Sequence, residues 1–206
     1  MKRLALAALI GALATACNGI GAYQPWPAHV SAAAKPASPL RAPEGSALLV
    51  VIQSKPQGSG NGRFTVFERS EPVAQFDEET ASWTAAELSA GEHQFYVRTW
   101  ASDFCTRVDA TVAAGKVYVL DLNPQFASGP TDSIFGNAAF RDRPNAGALA
   151  LLPYVATDRP AAAKELTGHA RQLSDCIEHA NAARAKAPQA AHTLGFDEID
   201  FTTPGK

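Results

Sequence analysis

Short apolar runs separated by turn signals fill residues 46–122, and this spacing restricts the fold more than any other feature. Residues 92–100 and 105–112 alternate apolar and polar side chains, as half-buried strands do, whereas residues 116–122 are almost continuously apolar, as a central strand is. Residues 47–53, 63–69 and 72–76 add further strands, and Pro72 places the last of them at a sheet edge. The pattern predicts a mainly β fold, an immunoglobulin-like antiparallel β-sandwich.

The N-terminus has the layout of a bacterial secretory signal. Lys2 and Arg3 precede an apolar run over residues 4–13, which is too short for a permanent membrane helix, and small residues 14–16 precede Cys17. This arrangement resembles the lipobox of bacterial lipoproteins, although Ala14 stands where that motif has a bulky residue. The resemblance implies cleavage after residue 16 and acylation of Cys17. The alternative is ordinary cleavage, which leaves Cys17 an unmodified thiol in a periplasmic or secreted protein.

The residue after Cys17 indicates which bacterial membrane would hold the anchored protein. Asn18 stands where lipoproteins retained in the inner membrane carry Asp, so the resemblance implies the outer membrane. The anchored chain is expected at the periplasmic face, with exposure at the cell surface as the alternative. Residues 17–45 are rich in Pro and Ala and predict an extended tether that follows the lipid anchor. Beyond it we expect the sandwich domain at residues 46–156, a helix at 157–187 and a tail at 188–206.

Charge excludes one class of partner. The chain carries 18 basic and 20 acidic residues, a formal net charge of −2. Loss of residues 1–16 removes two basic residues and no acidic one, which leaves 16 against 20 and a net charge of −4. Such a balance lacks the basic excess of nucleic-acid-binding proteins, and the acyl anchor would have to hold the chain at a membrane.

Two turn-plus-strand segments resemble a known family. Residues 88–93 read Leu-Ser-Ala-Gly-Glu-His and residues 114–120 read Ala-Gly-Lys-Val-Tyr-Val-Leu. They resemble small domains of unknown function in bacterial envelope lipoproteins and, more distantly, PEGA-type surface domains. The resemblance covers about residues 46–122 and implies a fold and a location, but it supplies no catalytic residues.

The C-terminal third combines a short strand with a helix. Residues 148–155 are read as one more strand, and Asp158 is placed as the N-cap of an amphipathic helix that ends near Lys186. The narrow apolar stripe of this helix either docks on the sandwich or pairs with a partner helix. The tail beyond Pro188 is either a final strand or a loose end.

Cysteines 105 and 176 remain as an even pair once Cys17 is set apart. In an oxidising compartment such a pair favours a disulfide, which would join a sandwich strand to the C-terminal helix. The alternative is two buried, reduced cysteines.

Candidate chemical sites are few. Cys176, His179 and His169 lie near one side of the predicted helix, but solvated helical histidines and an oxidised Cys176 argue against a metal site. His93 beside Glu92 suggests acid–base chemistry, yet no nucleophile elbow, zinc motif or phosphate-binding loop accompanies it. We therefore expect no catalytic residues, no metal and no cofactor.

Aromatic residues offer one candidate ligand face. Tyr96, Arg98 and Trp100 share a strand face, and with Trp83 they would form a stacking platform for a sugar ring or a peptide. The alternative is that these aromatics belong to the core of the sandwich.

The sequence thus predicts a non-enzymatic, membrane-anchored envelope lipoprotein that acts through contacts with another envelope protein. The alternative is a periplasmic module that binds a small ligand or a glycan. A third hypothesis, a hydrolase, would need His93 or His179 to act as a base beside a nucleophile.

Overall fold

The computed structural model describes residues 28–54, 63–77, 80–99, 105–122 and 138–202. Within these ranges the chain forms two four-stranded sheets packed against each other, a small two-stranded sheet and three helices, which confirms the predicted mainly β sandwich with helical C-terminal additions. The strands are β1 (Val30–Ala32), β2 (Ser46–Gln53), β3 (Arg63–Glu68), β4 (Glu71–Asp77), β5 (Ser82–Ser89), β6 (Gly91–Thr99), β7 (Cys105–Val112), β8 (Val117–Asp121), β9 (Ala139–Phe140) and β10 (Val155–Thr157), and the helices are α1 (Ala146–Leu151), α2 (Arg159–Gly168) and α3 (Ala170–Lys186).

The first sheet has the order β5-β2-β8-β9 and contains the most apolar strands. Leu49 and Val51 face the core between the two sheets, whereas Val50 and Ile52 face a second apolar cluster on the outside. Both faces of β2 and β8 are therefore covered, which is why their sequences are apolar without alternation. The pairing of β2 with β8 is parallel, and the other pairings in this sheet are antiparallel.

The second sheet has the order β4-β3-β6-β7 and is antiparallel throughout. Phe95 and Val97 point into the core between the sheets, and Tyr96 points outward to a third cluster under the helices. The alternation predicted for residues 92–100 is thus correct for these three residues. Pro72 lies on the edge strand β4, as the missing N–H of proline predicts.

The second half of the predicted tether lies against the domain. Strand β1 pairs with β10, and Leu40, which is buried, forms a bridge with Ile199. The ammonium group of Lys35 donates to the carbonyl oxygens of residues 149 and 150 at the end of α1. These contacts correct the prediction for residues 28–45. Residues 17–27, with the predicted anchor Cys17, and the signal at residues 1–16 lie outside the described residues.

The C-terminal tail is neither a final strand nor a loose end. It runs across both sheets through isolated bridges from His192 to Ala110 and from Phe196 to Val117. Ion pairs from Lys116 to Asp197 and from Arg41 to Glu198 add to these backbone contacts, and Phe201 packs on Trp83. Single bridges satisfy the backbone of an irregular segment without the alternation that marks a strand.

The predicted C-terminal helix is two helices. Asp158 caps α2 as expected, because its carboxylate accepts from the N–H of Ala161. The helix ends at Gly168, and α3 begins after His169, so the break falls at a glycine, which has a poor helix propensity. Residues 148–155, read as a strand, instead end α1 and lead into β10, and Asn145 supplies the cap of α1.

Strand β5 has no counterpart among the predicted strands. Its sequence, Ser-Trp-Thr-Ala-Ala-Glu-Leu-Ser, has few β-branched residues and a weak alternation. It nevertheless pairs along all eight residues of β2, from Ser46 with Ser89 to Gln53 with Ser82. Tertiary pairing with an apolar neighbour therefore overrides the weak local preference.

Candidate functional site

A disulfide joins the second sheet to the C-terminal helix. Cys105, at the start of β7, is bonded to Cys176 in α3, with the two Cα atoms 5.1 Å apart and a sequence separation of 71. Cys176 is 3% exposed and lies in a cluster with Phe67, Tyr96 and Leu173. The favoured interpretation of the even cysteine pair is therefore correct, and the narrow stripe of the helix is the side that docks.

A series of polar contacts along α3 adds to this attachment of the helix to the second sheet. The Tyr96 hydroxyl donates to Asn181 Oδ1 at 3.1 Å, and Arg107 Nη1 donates to the same oxygen at 2.9 Å. Asp109 accepts from Arg107 Nε at 2.7 Å through one carboxylate oxygen and from Arg184 Nε at 2.9 Å through the other. Strands β6 and β7 thus hold α3 by a covalent bond, an apolar cluster and charge-assisted hydrogen bonds.

Three of the four residues predicted to form a stacking face are buried. Tyr96 and Arg98 are about 95% buried beneath the helices, and Trp83 is fully buried on β5 in the other sheet. Trp83 packs against Tyr154 and Phe201 in the cluster outside the first sheet. These three residues therefore belong to the core, because the helices and the tail cover the faces that the sequence left open. Trp100 lies outside the described residues.

A buried ionic cluster fills the space between α2 and the second sheet. Arg63, only 1% exposed, is ion-paired with Glu165 of α2. Gln75 Nε2 donates to Thr65 Oγ1 at 3.1 Å and to Glu165 Oε2 at 3.3 Å, and its Oε1 accepts from the N–H of His29 at 2.5 Å. Removing one partner of such a cluster would leave a buried charge without compensation. Sequence reasoning missed it, because Glu165 beside Lys164 on a helix looks like a solvated pair.

His169, at the junction of α2 and α3, lies near this cluster. Burial lowers the pKa of His169 below its ordinary value, and the charges of Arg98 and Arg63 lower the same pKa further. Its backbone N–H donates to the carbonyl oxygens of Glu165 and Leu166, which closes the last turn of α2. The neutral imidazole is therefore favoured, because a protonated ring would add a third positive charge beside the two guanidinium groups.

His93 is engaged on both ring nitrogens. Nδ1 lies 2.9 Å from Glu68 Oε2, Nε2 lies 2.9 Å from the carbonyl oxygen of Ser89, and the ring stacks on Phe95. These contacts tie the end of β3 to the turn between β5 and β6. The geometry gives His93 a structural task, since a general base needs a free nitrogen directed at a nucleophile. Glu92, its neighbour in sequence, is exposed on the opposite face of β6.

The helical histidines do not converge with Cys176 on a metal site. Cys176 is in the disulfide, His169 lies at the helix junction, and His179 is exposed on α3. Over the described ranges of the chain, no group of three or more His, Cys, Asp or Glu side chains is arranged to hold a metal ion.

A cleft of about 680 Å³ lies beside α1. Asp121, 5% exposed, accepts from Arg141 Nε at 2.9 Å, and exposed Arg143 also lines the cleft. The remaining lining is Ser54, Pro144, Asn145, Ala148, Leu151 and Leu152. Guanidinium groups next to an apolar wall suit a ligand that carries an anionic group on an apolar body.

Two large apolar side chains stand out on the surface of the described residues. Leu151, the last residue of α1, is 74% exposed, and Leu194 in the tail is 59% exposed. Single exposed leucines are common, so each marks only a point at which a partner would gain apolar contact.

Comparison with known proteins adds no relative. No protein-family model, no curated protein and no solved structure matches this chain. In the part of the chain that the structure describes, none of the helices combines the length and the apolar character needed to cross a membrane.

Proposed function

We propose that this chain is an exported envelope protein, held at the periplasmic face of the bacterial outer membrane by acyl chains on Cys17. In this proposal it works through contacts with another envelope protein and catalyses no reaction. The resemblance of residues 46–122 to domains of envelope lipoproteins agrees with this proposal.

The disulfide between Cys105 and Cys176 is the observation that carries the proposal. Disulfides persist in oxidising compartments such as the periplasm and are rare in the reducing cytosol. A structural disulfide therefore supports export, which is also what the apolar run before Cys17 predicts. The two features are far apart in the chain and are independent of each other.

The environment of His93 supports a role without catalysis. Both of its ring nitrogens are occupied by structural contacts, with Glu68 and with the carbonyl oxygen of Ser89. The hydrolase hypothesis needs a histidine that can take a proton from a nucleophile, and this ring is already committed. His179, the other candidate base, lies exposed on α3.

Tethered presentation would be the mechanism. An acyl anchor confines the domain to a thin layer at the membrane and raises its effective concentration toward partners in that layer. A weak contact, built around exposed points such as Leu151 and Leu194, then suffices for function.

The anchor is tested by replacing one atom. In cells, Cys17→Ser should move the protein from the membrane fraction to the soluble periplasmic fraction, because the acylated thiol is lost. Mass spectrometry of the N-terminal peptide should find acyl chains on Cys17 of the wild-type protein. A protein that stays in the membrane fraction with an unacylated N-terminus would refute the proposal.

The protein contact is tested by crosslinking in intact cells. We expect one recurrent envelope protein, whose crosslinking falls when Leu151→Asp or Leu194→Asp removes an apolar contact point. Gln172→Asp, on the exposed side of α3, is the matched control and should leave crosslinking unchanged. Equal crosslinking by all three variants would show that neither leucine belongs to the contact.

The cleft beside α1 favours a second candidate function, the binding of a small ligand. This candidate rests on Arg141 and Arg143, since Trp83, Tyr96 and Arg98 are buried. Titration with soluble peptidoglycan fragments, which carry carboxylates, should shift the amide NMR signals of Arg143 and Leu151. Arg143→Ala should weaken the response while Arg171→Ala, on α3, should leave it unchanged. A flat titration would eliminate this candidate for that ligand class.

A further inference from the structure

The place where the chain leaves the domain is fixed by β1. His29 accepts a hydrogen bond through its carbonyl oxygen from the N–H of Asp158 at 2.8 Å, and Val30 pairs with Thr157. The described chain therefore begins beside the first turn of α2, which starts at Arg159.

The docking of β1 shortens the reach of the anchor. From Cys17 to Ala28 there are eleven residue steps, so the domain can stand no more than about 38 Å from an acyl group on Cys17. A free tether from Cys17 to Gly45 would have allowed about 98 Å over 28 steps. The N-terminal end of α2 therefore lies beside the point where this eleven-step segment joins the described part of the chain.

The charged side chains that α2 exposes are both positive, and its other exposed residues are Pro160, Thr167 and Gly168. Arg159 and Lys164 are exposed, whereas Glu165, the one acidic residue of the helix, is turned inward and ion-paired with Arg63. The carboxylate of Asp158 is exposed at the N-cap and accepts from the N–H of Ala161. This face is basic in a mature chain whose net charge is negative.

From these observations we infer that the exposed face of α2, with Arg159 and Lys164, is the membrane-facing surface of the domain and rests on anionic lipid headgroups. The inference depends on the proposed acylation of Cys17, because the anchor brings this face to the bilayer. The two basic side chains then set the orientation: the acidic remainder of the domain is repelled from anionic lipid while this face is attracted.

The test measures how fast lysines of the full acylated protein react with an amine-specific reagent in vesicles. Vesicles of phosphatidylethanolamine and phosphatidylglycerol at 3:1 supply the anionic surface, and mass spectrometry reports each lysine separately. Lys164 should react at least about threefold more slowly than in the unacylated Cys17→Ser protein added to the same vesicles. Lys186, at the other end of α3, and Lys35 are internal references that should not change.

Changes in salt and in tether length test separately the electrostatic attraction to lipid and the effect of the short tether. Protection of Lys164 should weaken in 0.5 M salt and in phosphatidylcholine vesicles, because the attraction is screened or lacks an anionic partner. A flexible 20-residue insertion after Gly21 should also weaken it, because a longer tether lowers the effective concentration of the face at the lipid.

The outcomes distinguish this inference from the proposed function. Acylated protein that is bound to vesicles but leaves Lys164 as reactive as in the Cys17→Ser protein would overturn the inference and leave the anchor intact. Protection of Lys164 in cells but not in vesicles would identify a protein as the covering partner and would also overturn it. An unacylated Cys17 would remove both the inference and the proposed function.

Discussion

The hydroxyl of Tyr96 donates to Asn181 Oδ1 across 3.1 Å, and this bond connects a strand of the sandwich to a helix 85 residues away in sequence. Arg107 donates to the same oxygen, so the amide of Asn181 receives two donors from adjacent strands. A residue that the sequence offered as a ligand contact therefore holds the fold together.

Tyr96→Phe should lower the free energy of unfolding by about 1 kcal/mol, because it removes one hydrogen bond and keeps the stacked ring in place. The loss should stay near this value, since Arg107 continues to satisfy the Asn181 oxygen. Urea unfolding followed by circular dichroism gives the measurement. Tyr154→Phe is the matched control and should be nearly neutral. A loss equal in the two variants would show that the bond to Asn181 contributes nothing specific.

Cys176→Ser should lower the free energy of unfolding by about 2–5 kcal/mol, because the unfolded chain regains the freedom that a long closed loop removes. Cys105→Ser should have the same effect, since either change opens the same bond. Unfolding with and without a reductant provides the check. The reductant should lower the stability of the wild-type protein and leave that of both variants unchanged. A wild-type protein whose stability does not respond to the reductant would mean that the bond is not formed in solution.

The sheet cores were predictable because they follow simple periodicities. Strand β7 was located residue for residue, and the alternation of β6 correctly put Phe95 and Tyr96 on opposite faces of the strand. Those features depend on local alternation and on glycine turns, such as the one at Gly115 with its positive φ.

The coverings of the sheets were not predictable, and the candidate ligand face failed for that reason. Whether Tyr96 and Trp83 are exposed depends on where α3 and the tail lie, which local patterns do not encode. For residues 28–45 the tether prediction failed similarly, because β1 is held by backbone pairing to β10 and has no strand alternation of its own. Cys176 was the one long-range signal, since two cysteines in an oxidising compartment imply a contact.

Gly195→Ala should detach the C-terminal tail from the sandwich. A Cβ at this position would lie 2.7 Å from Tyr118 Cζ and 2.8 Å from Lys116 Cβ, which is closer than real Cβ contacts. Tyr118 is buried and its hydroxyl accepts from the N–H of Ala113, so it has little room to move. We expect a loss of about 1–3 kcal/mol in unfolding free energy.

Hydrogen exchange should locate that effect at residues 192–199, where the backbone hydrogen bonds between Phe196 and Val117 would open first. Gly168→Ala is the matched control: a Cβ there meets no atom within 4 Å, and alanine favours the helix. It should be neutral or slightly stabilising. Unchanged exchange of the tail in Gly195→Ala would contradict the packing described for this segment.

Acidification should lower the free energy of unfolding through His169, at the junction of α2 and α3. Burial, with the charges of Arg98 and Arg63, lowers the pKa of His169 in the folded protein below the ordinary value of 6.5. The unfolded chain therefore takes up this proton first as the pH falls, and the folded state loses stability from about pH 6.5 down to the lowered pKa of the folded state. Unfolding free energies from pH 7.5 to 4.5 should show a smaller decline for His169→Gln than for the unmodified protein. His179→Gln, at an exposed position of α3, should follow the unmodified protein, and identical pH profiles for all three would rule out His169 as the source.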